Sequence, residues 1–416
     1  MRAWVLHPEL LSERDRRDAQ PALDEAIALA AALPDLHVAG GEIVRLQRPH
    51  PKHLFGTGKL DELKARIEAE EVGLVLIDGP VSPVQQRNLE KTWGVKLLDR
   101  TGLILEIFSD RARTREGVLQ VEMAALSYQR TRLVRAWTHL ERQRGGLGFV
   151  GGPGETQIEA DRRAIDEQLN RLKKQLGKVV KTRELHRAAR AKIPFPIVAL
   201  VGYTNAGKST LFNRMTGADV MAEDMLFATL DPTMRAVDLP SGKRVILSDT
   251  VGFISDLPTQ LVAAFRATLE EVLAADLVVH VRDISHDETE EQAQDVRAIL
   301  SDLGVSDDTP QIEVWNKTDL LDAESRETAQ MLASRREGVI SLSALTGDGM
   351  QALTDAIGSE LDEKRSRKTL TLPFEAGQRR AWLYEQGVVE DEAPQENGMA
   401  LTVNWTARQA RAFHDL

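Results

Sequence analysis

The chain has 416 residues, no cysteine, and a formal net charge of -11 from 53 Lys and Arg and 64 Asp and Glu. Its length predicts two to four domains at roughly 150 residues each, and its hydrophobic share of 42% excludes disordered, collagenous and membrane-embedded classes. The missing cysteines exclude disulfides and thiolate chemistry. With neither an apolar run of about 18 residues nor a signal-peptide core, we expect a cytoplasmic protein that has no membrane-spanning segment.

Residues 1–112 alternate short apolar runs with amphipathic ones, which is typical of an α/β layer with parallel strands. The strand candidates are residues 4–6, 42–46, 74–77 and 95–98, and the helical patterns lie near 21–32, 59–70 and 82–92. Residues 55–59 read Phe-Gly-Thr-Gly-Lys. They lack the full spacing of a phosphate loop, so we interpret them as a turn that leads into a helix.

Residues 113–192 predict a long antiparallel helical hairpin, because two apolar stripes follow a four-three spacing. The first stripe holds Leu119, Met123, Leu126, Leu133, Trp137 and Leu140, with Arg130 as a polar interruption, and the second holds Ile165, Leu169, Leu172, Leu176 and Val179. Six of the ten residues from 145 to 154 are glycine. Ordering such a tip costs much chain entropy, so we expect it to do more than connect two helices. Thr156 and Glu159 form a capping-box pattern that predicts the start of the second helix.

The charge is divided unevenly along the chain. Residues 111–192 carry 19 Lys and Arg against 9 Asp and Glu, a net charge of +10, so the remainder carries -21. A solvated helix face is the simpler explanation of such a run. An asymmetry this large is more typical of an element that binds a polyanion.

Residues 195–365 again alternate strands and helices, with strands expected at 197–201, 245–247, 277–281, 312–315 and 339–342. Directly after the first strand, eight residues match the phosphate-loop pattern G-x-x-x-x-G-K-[ST]: Gly202, Tyr203, Thr204, Asn205, Ala206, Gly207, Lys208 and Ser209. Their backbone N–H groups would form an anion nest. Lys208 would bridge the β- and γ-phosphates, and the Ser209 hydroxyl would bind Mg²⁺.

Later segments in the same region predict guanine as the base. Asp249, Thr250, Val251 and Gly252 fit D-x-x-G, in which the carboxylate approaches Mg²⁺ and the glycine N–H senses the γ-phosphate. Asn316, Lys317, Thr318 and Asp319 place a carboxylate where it can accept from guanine N1–H and N2, donors that adenine lacks. Ser343, Ala344 and Leu345 would place an N–H near guanine O6. These segments together predict a GTP-binding domain.

The switch I segment is expected between the first two motifs, at Phe227, Ala228, Thr229, Leu230 and Asp231. Thr229 is the candidate for its Mg²⁺-sensing threonine, and Thr233 is the alternative. Phe253 stands where many GTPases have a water-orienting glutamine, so we expect slow intrinsic hydrolysis with the water positioned by a backbone group or a partner. Asn205 either helps to bind a monovalent cation such as K⁺ or only stabilises the loop.

Residues 364–368 are predicted to be a linker, and strand-like segments at 370–372 and 400–403 predict a small α+β module. The sequence thus predicts an α/β protein: an N-terminal α/β subdomain at 1–112, a helical hairpin with a glycine-rich tip at 113–192, a P-loop GTPase domain with a mainly parallel sheet at 195–365, and a small C-terminal domain at 366–416. We expect a monomer.

Four segments resemble HflX-type GTPases, which are P-loop GTPases of the translation-factor-related class: residues 148–163, 227–233, 249–254 and 257–265. The resemblance covers nearly the whole chain. It implies a cytoplasmic GTPase that binds the large ribosomal subunit and splits stalled ribosomes, notably after heat stress, with peripheral membrane association as a further option. It also implies that the N-terminal domain contacts ribosomal RNA and, in some members, ATP.

The basic hairpin agrees with RNA as the partner, because cationic side chains neutralise phosphates and a glycine tip can approach RNA closely. The candidates for RNA contact are Arg142, Arg144, Arg162 and Arg163, together with Phe149 for stacking on an unpaired base. For each arginine, a solvated surface charge is the alternative.

Two other functions stay open from the sequence. One is a ribosome-assembly or RNA-binding checkpoint that uses GTP and separates nothing, which would bind precursor subunits rather than intact ribosomes. The other is an ATP-driven RNA remodeller in the N-terminal half, whose ATP turnover would survive Lys208→Ala.

Overall fold

Four parallel strands form the N-terminal sheet, in the order β2-β1-β3-β4. These strands are β1 (Arg2–Leu10), β2 (His37–Leu46), β3 (Leu74–Ile77) and β4 (Lys96–Asp99), and they alternate with α1 (Ala19–Ala31), α2 (Thr57–Ala69) and α3 (Pro83–Trp93). Each predicted strand and helix of this region is present. The expected turn at residues 55–59 is confirmed as well, since Gly56 is the N-cap of α2.

Helices cover both faces of this sheet, which explains why β3 is buried at all four positions. Leu74 and Leu76 pack in one hydrophobic cluster together with α1, whereas Val75 and Ile77 pack in a second cluster with α2 and α3. A further helix, α4 (Arg100–Arg111), follows β4 without an intervening loop. Helix α4 was not predicted, although Leu103, Ile104, Ile107 and Phe108 follow helical spacing and Asp99 is its N-cap.

The helical hairpin consists of α5 (Arg115–Gln143) and α6 (Pro153–Arg190). Among the stripe residues whose side chains the structure describes, Leu119, Leu169 and Leu172 are buried. The polar interruption at Arg130 is explained by an ion pair across the hairpin, because its Nε lies 2.7 Å from Asp166 Oδ1.

The predicted start of the second helix was wrong. The helix begins at Pro153, three residues before the capping-box threonine Thr156. Proline is favoured in the first turn because its missing N–H would have no partner there and its fixed φ already suits the helix.

Polar contacts attach the base of the hairpin to the N-terminal sheet. Tyr128 on α5 donates its hydroxyl to Asp99 Oδ1 at 2.5 Å, and Arg132 donates to Asp99 Oδ2 at 3.0 Å. Burial and the Asp99 charge raise the pKa of Tyr128, which keeps its hydroxyl a donor. The Asp99 carboxylate also caps α4, accepting from the Gly102 N–H at 2.8 Å.

A second, six-stranded sheet follows in the order β10-β9-β8-β5-β7-β6. Its strands are β5 (Ile197–Gly202), β6 (Thr233–Asp238), β7 (Arg244–Asp249), β8 (Leu277–Asp283), β9 (Gln311–Asn316) and β10 (Val339–Ser341), and its helices are α7 (Lys208–Thr216), α8 (Thr289–Leu303), α9 (Ala323–Ser334) and α10 (Met350–Glu360). All pairings are parallel except that of β6 with β7. The analysis missed β6, because this edge strand buries none of its residues and so has no apolar alternation.

The last residues form a three-stranded antiparallel sheet in the order β11-β13-β12. It contains β11 (Ser366–Leu372), α11 (Gly377–Glu385), β12 (Val389–Gln395) and β13 (Gly398–Trp405). The predicted α+β module is therefore present. The linker prediction was wrong for residues 366–368, which belong to β11. Their charged side chains are typical of a loop, but their backbone groups are paired with β13.

The computed structural model describes residues 1–12, 18–143, 153–190, 195–218, 226–227, 233–255, 272–306, 309–361, 366–374, 376–395, 398–405 and 413. Two compact units are distinguished, Met1–Leu353 and Thr354–Leu416. The elements confirm the predicted α/β class, while the division into four modules stays a prediction. Within the described ranges, every helix is too short or too polar to cross a bilayer.

Aromatic packing joins the N-terminal layer to the second sheet inside the first unit. The ring of Phe108 on α4 packs edge-on against Phe227, with centroids 4.7 Å apart, and both side chains are buried. One hydrophobic cluster contains them together with Val251 and Phe253. The two layers therefore share a core.

Replacing Phe108 with Ala should lower the free energy of unfolding by about 3–5 kcal/mol, because the cavity lies in a core shared by two layers. Denaturant titration followed by circular dichroism measures the loss. Phe374→Ala is the matched control, since that ring is 65% exposed, and it should change stability by less than about 0.5 kcal/mol. Equal effects of the two substitutions would contradict the shared core.

Candidate nucleotide-binding site

The predicted nucleotide motifs meet at the carboxyl edge of the six-stranded sheet. Gly202 ends β5, Asp249 ends β7 and Asn316 ends β9, and Ser343 follows β10 by two residues. The carboxyl ends of parallel strands lie at one edge of a sheet, where open α/β folds bind their ligands. Motifs far apart in sequence are thereby brought to one place.

The phosphate-loop pattern closes around the first residue of α7. Lys208 is buried, and its ammonium donates to the Tyr203 carbonyl at 2.7 Å and to the Gly202 carbonyl at 3.1 Å. Gly207 has φ of +91°, and a Cβ there would lie 2.2 Å from Asn316 Nδ2. Only glycine satisfies both the left-handed backbone and this close approach. The loop is therefore shaped by the third motif as well as by its own sequence.

Burial lowers the pKa of Lys208 to about 8, and the Asp249 charge opposes this shift only in part. A buried ammonium without a strong counter-charge is costly. A phosphate group beside it would supply that charge. The lowered pKa thus marks Lys208 as a site for an anion.

The site contains oxygen atoms suited to Mg²⁺. Ser209 donates its hydroxyl to Asp249 Oδ2 at 2.8 Å, so a hydroxyl from the start of α7 and a carboxylate from the end of β7 converge. Magnesium prefers such oxygens and is held by one or two protein ligands together with substrate phosphates. The oxygens present therefore fit this ion, which Ser209 and Asp249 would hold.

The backbone after the D-x-x-G motif is joined to the phosphate loop. Phe253 donates its N–H to the Gly202 carbonyl at 3.1 Å and accepts from the Thr204 N–H at 2.7 Å. The Phe253 side chain is only 1% exposed and belongs to the shared core. Its ring therefore lies in the core and offers no hydrogen-bonding group to an attacking water.

The base-binding motifs form a connected pair of loops. Asn316 donates to the Ala206 carbonyl at 2.8 Å and accepts from the Ala344 N–H at 2.9 Å. Ser343 donates its hydroxyl to Asp319 Oδ1 at 2.5 Å, which orients that carboxylate. Lys317 is held by an ion pair with Asp283 at 2.8 Å. The Asp319 carboxylate and the Ala344 N–H are thus held by neighbouring loops at the same edge of the sheet.

Several predicted site residues have mainly structural contacts. Thr250 donates its hydroxyl to the Leu200 carbonyl at 2.6 Å, Val251 is buried, and the Phe227 ring packs in the core.

Two other predicted site residues are exposed. Asn205 has a left-handed φ of 59°, which asparagine tolerates. Leu345 is 68% exposed at the base loop.

Other predicted residues cannot be placed. Ala228, Thr229, Leu230 and Asp231 lie outside the described residues, as do Arg144 and Phe149. Thr233, the alternative to Thr229, begins β6 and pairs in register with Asp249.

The remaining RNA-contact candidates lie on the hairpin. Arg142 belongs to α5. Arg162 and Arg163 on α6 are exposed, with side chains near Asp166 at 4.0 Å and Glu159 at 3.6 Å. Ion pairs along one exposed helix face contribute little to stability, so both guanidinium groups are available to a partner.

Residues of the N-terminal layer that surround the phosphate loop were not predicted from the sequence. Glu25 on α1 accepts from the Tyr203 hydroxyl and, at 2.9 Å, from the Ser255 hydroxyl. Arg100 on α4 donates to the Ser255 carbonyl at 2.9 Å. No motif contains these residues, and an acidic or basic side chain on an amphipathic helix carries no local signal of such a contact.

Affinity for GDP should fall as the pH rises above about 8. Bound phosphate raises the pKa of Lys208, so the free protein loses the required proton first, and affinity drops by up to about tenfold per pH unit between the two pKa values. Calorimetric titration from pH 7 to 8.75 measures this, before the guanine base loses its own N1 proton. Lys208→Ala should bind weakly and show a flat profile, and a wild-type profile as flat as that of the variant would refute the assignment.

Comparisons with known proteins agree with this geometry. Four family models match consecutive parts of the chain: GTP-binding GTPase N-terminal at residues 20–109, GTP-binding GTPase Middle Region at 111–190, 50S ribosome-binding GTPase at 197–317, and HflX C-terminal domain at 329–415. The crystal structure of SsGBP in complex with GDP is similar to this chain, with a TM-score of 0.51 and 25% sequence identity. The similarity covers 86% of this chain and 98% of the SsGBP chain.

Curated relatives are similar over almost the whole length. GTPase HflX of Magnetococcus marinus is 51% identical over 376 residues, which span 90% of this chain and 85% of the relative. GTPase HflX of Escherichia coli is 43% identical over 397 residues, which span 95% and 91%. The match at residues 197–317 contains the phosphate-loop pattern and the D-x-x-G motif, and the match at 329–415 contains Ser343, Ala344 and Leu345. The chain therefore belongs to the HflX family of GTPases and hydrolyses GTP to GDP and phosphate.

Proposed function

We propose that this GTPase acts in the cytoplasm, where its GTP-bound form binds the large ribosomal subunit through RNA and splits stalled ribosomes under stress. Mg²⁺ bound by Ser209 and Thr229 accompanies the nucleotide, and hydrolysis releases the protein. Guanine is recognised by Asp319 and Ala344. The observation that carries this proposal is a buried polar network that connects the segment after Gly252 to the N-terminal layer.

The network is centred on the guanidinium group of Arg100. Burial opposes its charge, but the carboxylates of Asp78 and Glu25 outweigh burial and raise the pKa of Arg100. Arg100 lies 2.7 Å from Asp78 and is also paired with Glu25. His7 approaches the other oxygen of Asp78 at 2.8 Å. A buried charge paired in this way tolerates little displacement, because losing one partner leaves an uncompensated charge.

The network reaches the nucleotide through Ser255. This residue follows Gly252, the proposed γ-phosphate sensor, by three positions, and its N–H donates to the Tyr203 hydroxyl at 2.7 Å. Arg100 and Glu25 bond to the same serine. A change in the Gly252 backbone between GTP and GDP would therefore move a residue that two N-terminal helices hold.

The network also adjoins the hairpin. Asp99, the neighbour of Arg100, binds Tyr128 and Arg132 of α5. The adjacent residues Asp99 and Arg100 thus connect the basic hairpin with the segment that follows Gly252. This supports a switch in which nucleotide state sets the orientation of the hairpin towards RNA phosphates.

Ribosome co-sedimentation with GDP, with a non-hydrolysable GTP analogue and without nucleotide tests the proposal. We expect large-subunit binding mainly with the analogue and, in sucrose gradients, conversion of intact ribosomes to subunits. Binding restricted to precursor subunits would favour an assembly checkpoint instead. Gradient profiles unchanged by protein and GTP would rule out splitting.

The network itself is tested by Glu25→Gln, which removes the charge that Arg100, Tyr203 and Ser255 share. We expect GDP affinity within about twofold of wild type, while the preference of ribosomes for the analogue-bound form over the GDP-bound form shrinks by about tenfold or more. Glu42→Gln is the matched control, because Glu42 pairs with Lys59 at 3.0 Å elsewhere in the N-terminal layer. A preference retained by Glu25→Gln would show that the network does not transmit nucleotide state.

Asn205 is the basis of a separate proposal, that K⁺ binds beside the β- and γ-phosphates and stimulates hydrolysis. Its position in the exposed left-handed turn of the phosphate loop supports this role, because its side-chain carbonyl is an oxygen acceptor within the loop that would surround the phosphates. GTP turnover should be faster in K⁺ than in Na⁺, and Asn205→Ala should remove the difference. Equal rates in the two salts would eliminate the cation site and leave Asn205 as a loop residue.

A further inference from the structure

Two arginines outside every nucleotide motif hold the two loops of the base site. The first is Arg214, in the last turn of α7. Its Nε donates to the Ala344 carbonyl at 2.6 Å, and its Nη2 donates to the Leu345 carbonyl. These are the backbone groups next to the Ala344 N–H. A planar guanidinium with several donors in fixed directions can fix two adjacent carbonyls at once.

The loop is built to admit this guanidinium. Gly347 has φ of +97°, and a Cβ there would lie 2.6 Å from Arg214 Nη1. A larger residue would therefore displace the arginine. Since Lys208 and Ser209 begin the same nine-residue helix, α7 joins the phosphate end of the site to the base end.

The second arginine is Arg326, on α9. Its Nε donates to the Thr318 carbonyl at 2.9 Å, and its Nη2 donates to the carbonyls of Asp319 and Leu321, both at 3.2 Å. Three carbonyls of the 3₁₀ turn at Thr318–Leu320 and the residue after it are thus held by one side chain. That turn carries the carboxylate that faces the base.

We infer that Arg214 and Arg326 are positioning residues for guanine recognition, each serving a different edge of the base. Arg214 holds the loop whose N–H meets O6, and Arg326 holds the turn that presents Asp319 to N1 and N2. The inference rests on the proposed roles of Asp319 and Ala344. Charge-assisted hydrogen bonds to carbonyls are stronger than neutral ones, so each loop loses definition when its arginine is removed.

The two roles make different predictions for GDP and IDP, because the inosine base keeps O6 and N1–H but lacks the N2 amine. Arg326→Gln should weaken the binding of GDP by about tenfold and the binding of IDP by clearly less. The preference for GDP over IDP therefore falls. Arg214→Gln should weaken both by a similar factor of about five and leave the preference unchanged. Competition against a fluorescent GDP analogue measures all four dissociation constants.

Controls separate positioning from folding. Both arginines donate to carbonyls of the base loops, so kcat at saturating GTP should stay within about twofold of wild type, which also shows that the variants fold. Arg326→Lys keeps the charge without the planar fork and should recover part of the preference. Arg335→Gln, an exposed arginine at the end of α9, is the matched control and should behave as wild type.

The outcomes also distinguish this inference from the site assignment. Asp319→Asn should abolish the preference for guanine. If it does so while Arg326→Gln leaves the GDP-to-IDP ratio unchanged, the assignment of the base site holds and the inference about Arg326 is wrong. If Asp319→Asn retains the preference for guanine, the base site itself is misassigned. A changed ratio in Arg214→Gln would overturn the division of labour between the two arginines.

Discussion

The buried guanidinium of Arg100 is the contact on which the relation between the N-terminal layer and the nucleotide site depends. It lies at the carboxyl edge of the first sheet, beside Asp78 at the end of β3, and it reaches Ser255 at the edge of the second. In each of the two sheets, the carboxyl ends of the parallel strands form one edge. These two edges thus face each other. The place where an open α/β sheet ordinarily binds a ligand is occupied here by a loop of the GTPase fold.

This arrangement combines two kinds of interaction with different consequences. The aromatic contact of Phe108 with Phe227 contributes stability without direction, because hydrophobic burial depends mainly on area. The Arg100 network contributes less net stability, since desolvation offsets much of the charge attraction. It does fix geometry, because the two terminal nitrogens of Arg100 are each held by defined acceptors. A junction of this composition holds two layers together and still responds to a small movement of Ser255.

Much of the architecture could be predicted because its signals are local. Strand β3 was recognised from four consecutive apolar residues, and the phosphate loop from eight consecutive positions. The failures have specific causes. Helix α4 has apolar residues at helical spacing that were not recognised, β6 is half exposed, and α6 starts at Pro153 rather than at the more conspicuous Thr156. For β6 the pattern that marks a strand was absent, and for α6 the capping pattern was outweighed by a backbone preference.

The class of nucleotide chemistry was determined by the sequence itself, because the atoms proposed to bind the phosphates and select guanine belong to short contiguous segments in which residue spacing fixes the local geometry. Gly207, Lys208 and Asp319 needed no tertiary information to be found. Only the tertiary structure decided which residues support them. Arg100 and Ser255 are 155 positions apart, and Arg214 and Ala344 are 130 apart. Such pairs have no sequence signature, because a charged side chain on a helix looks the same whether it faces solvent or the carbonyls of a distant loop.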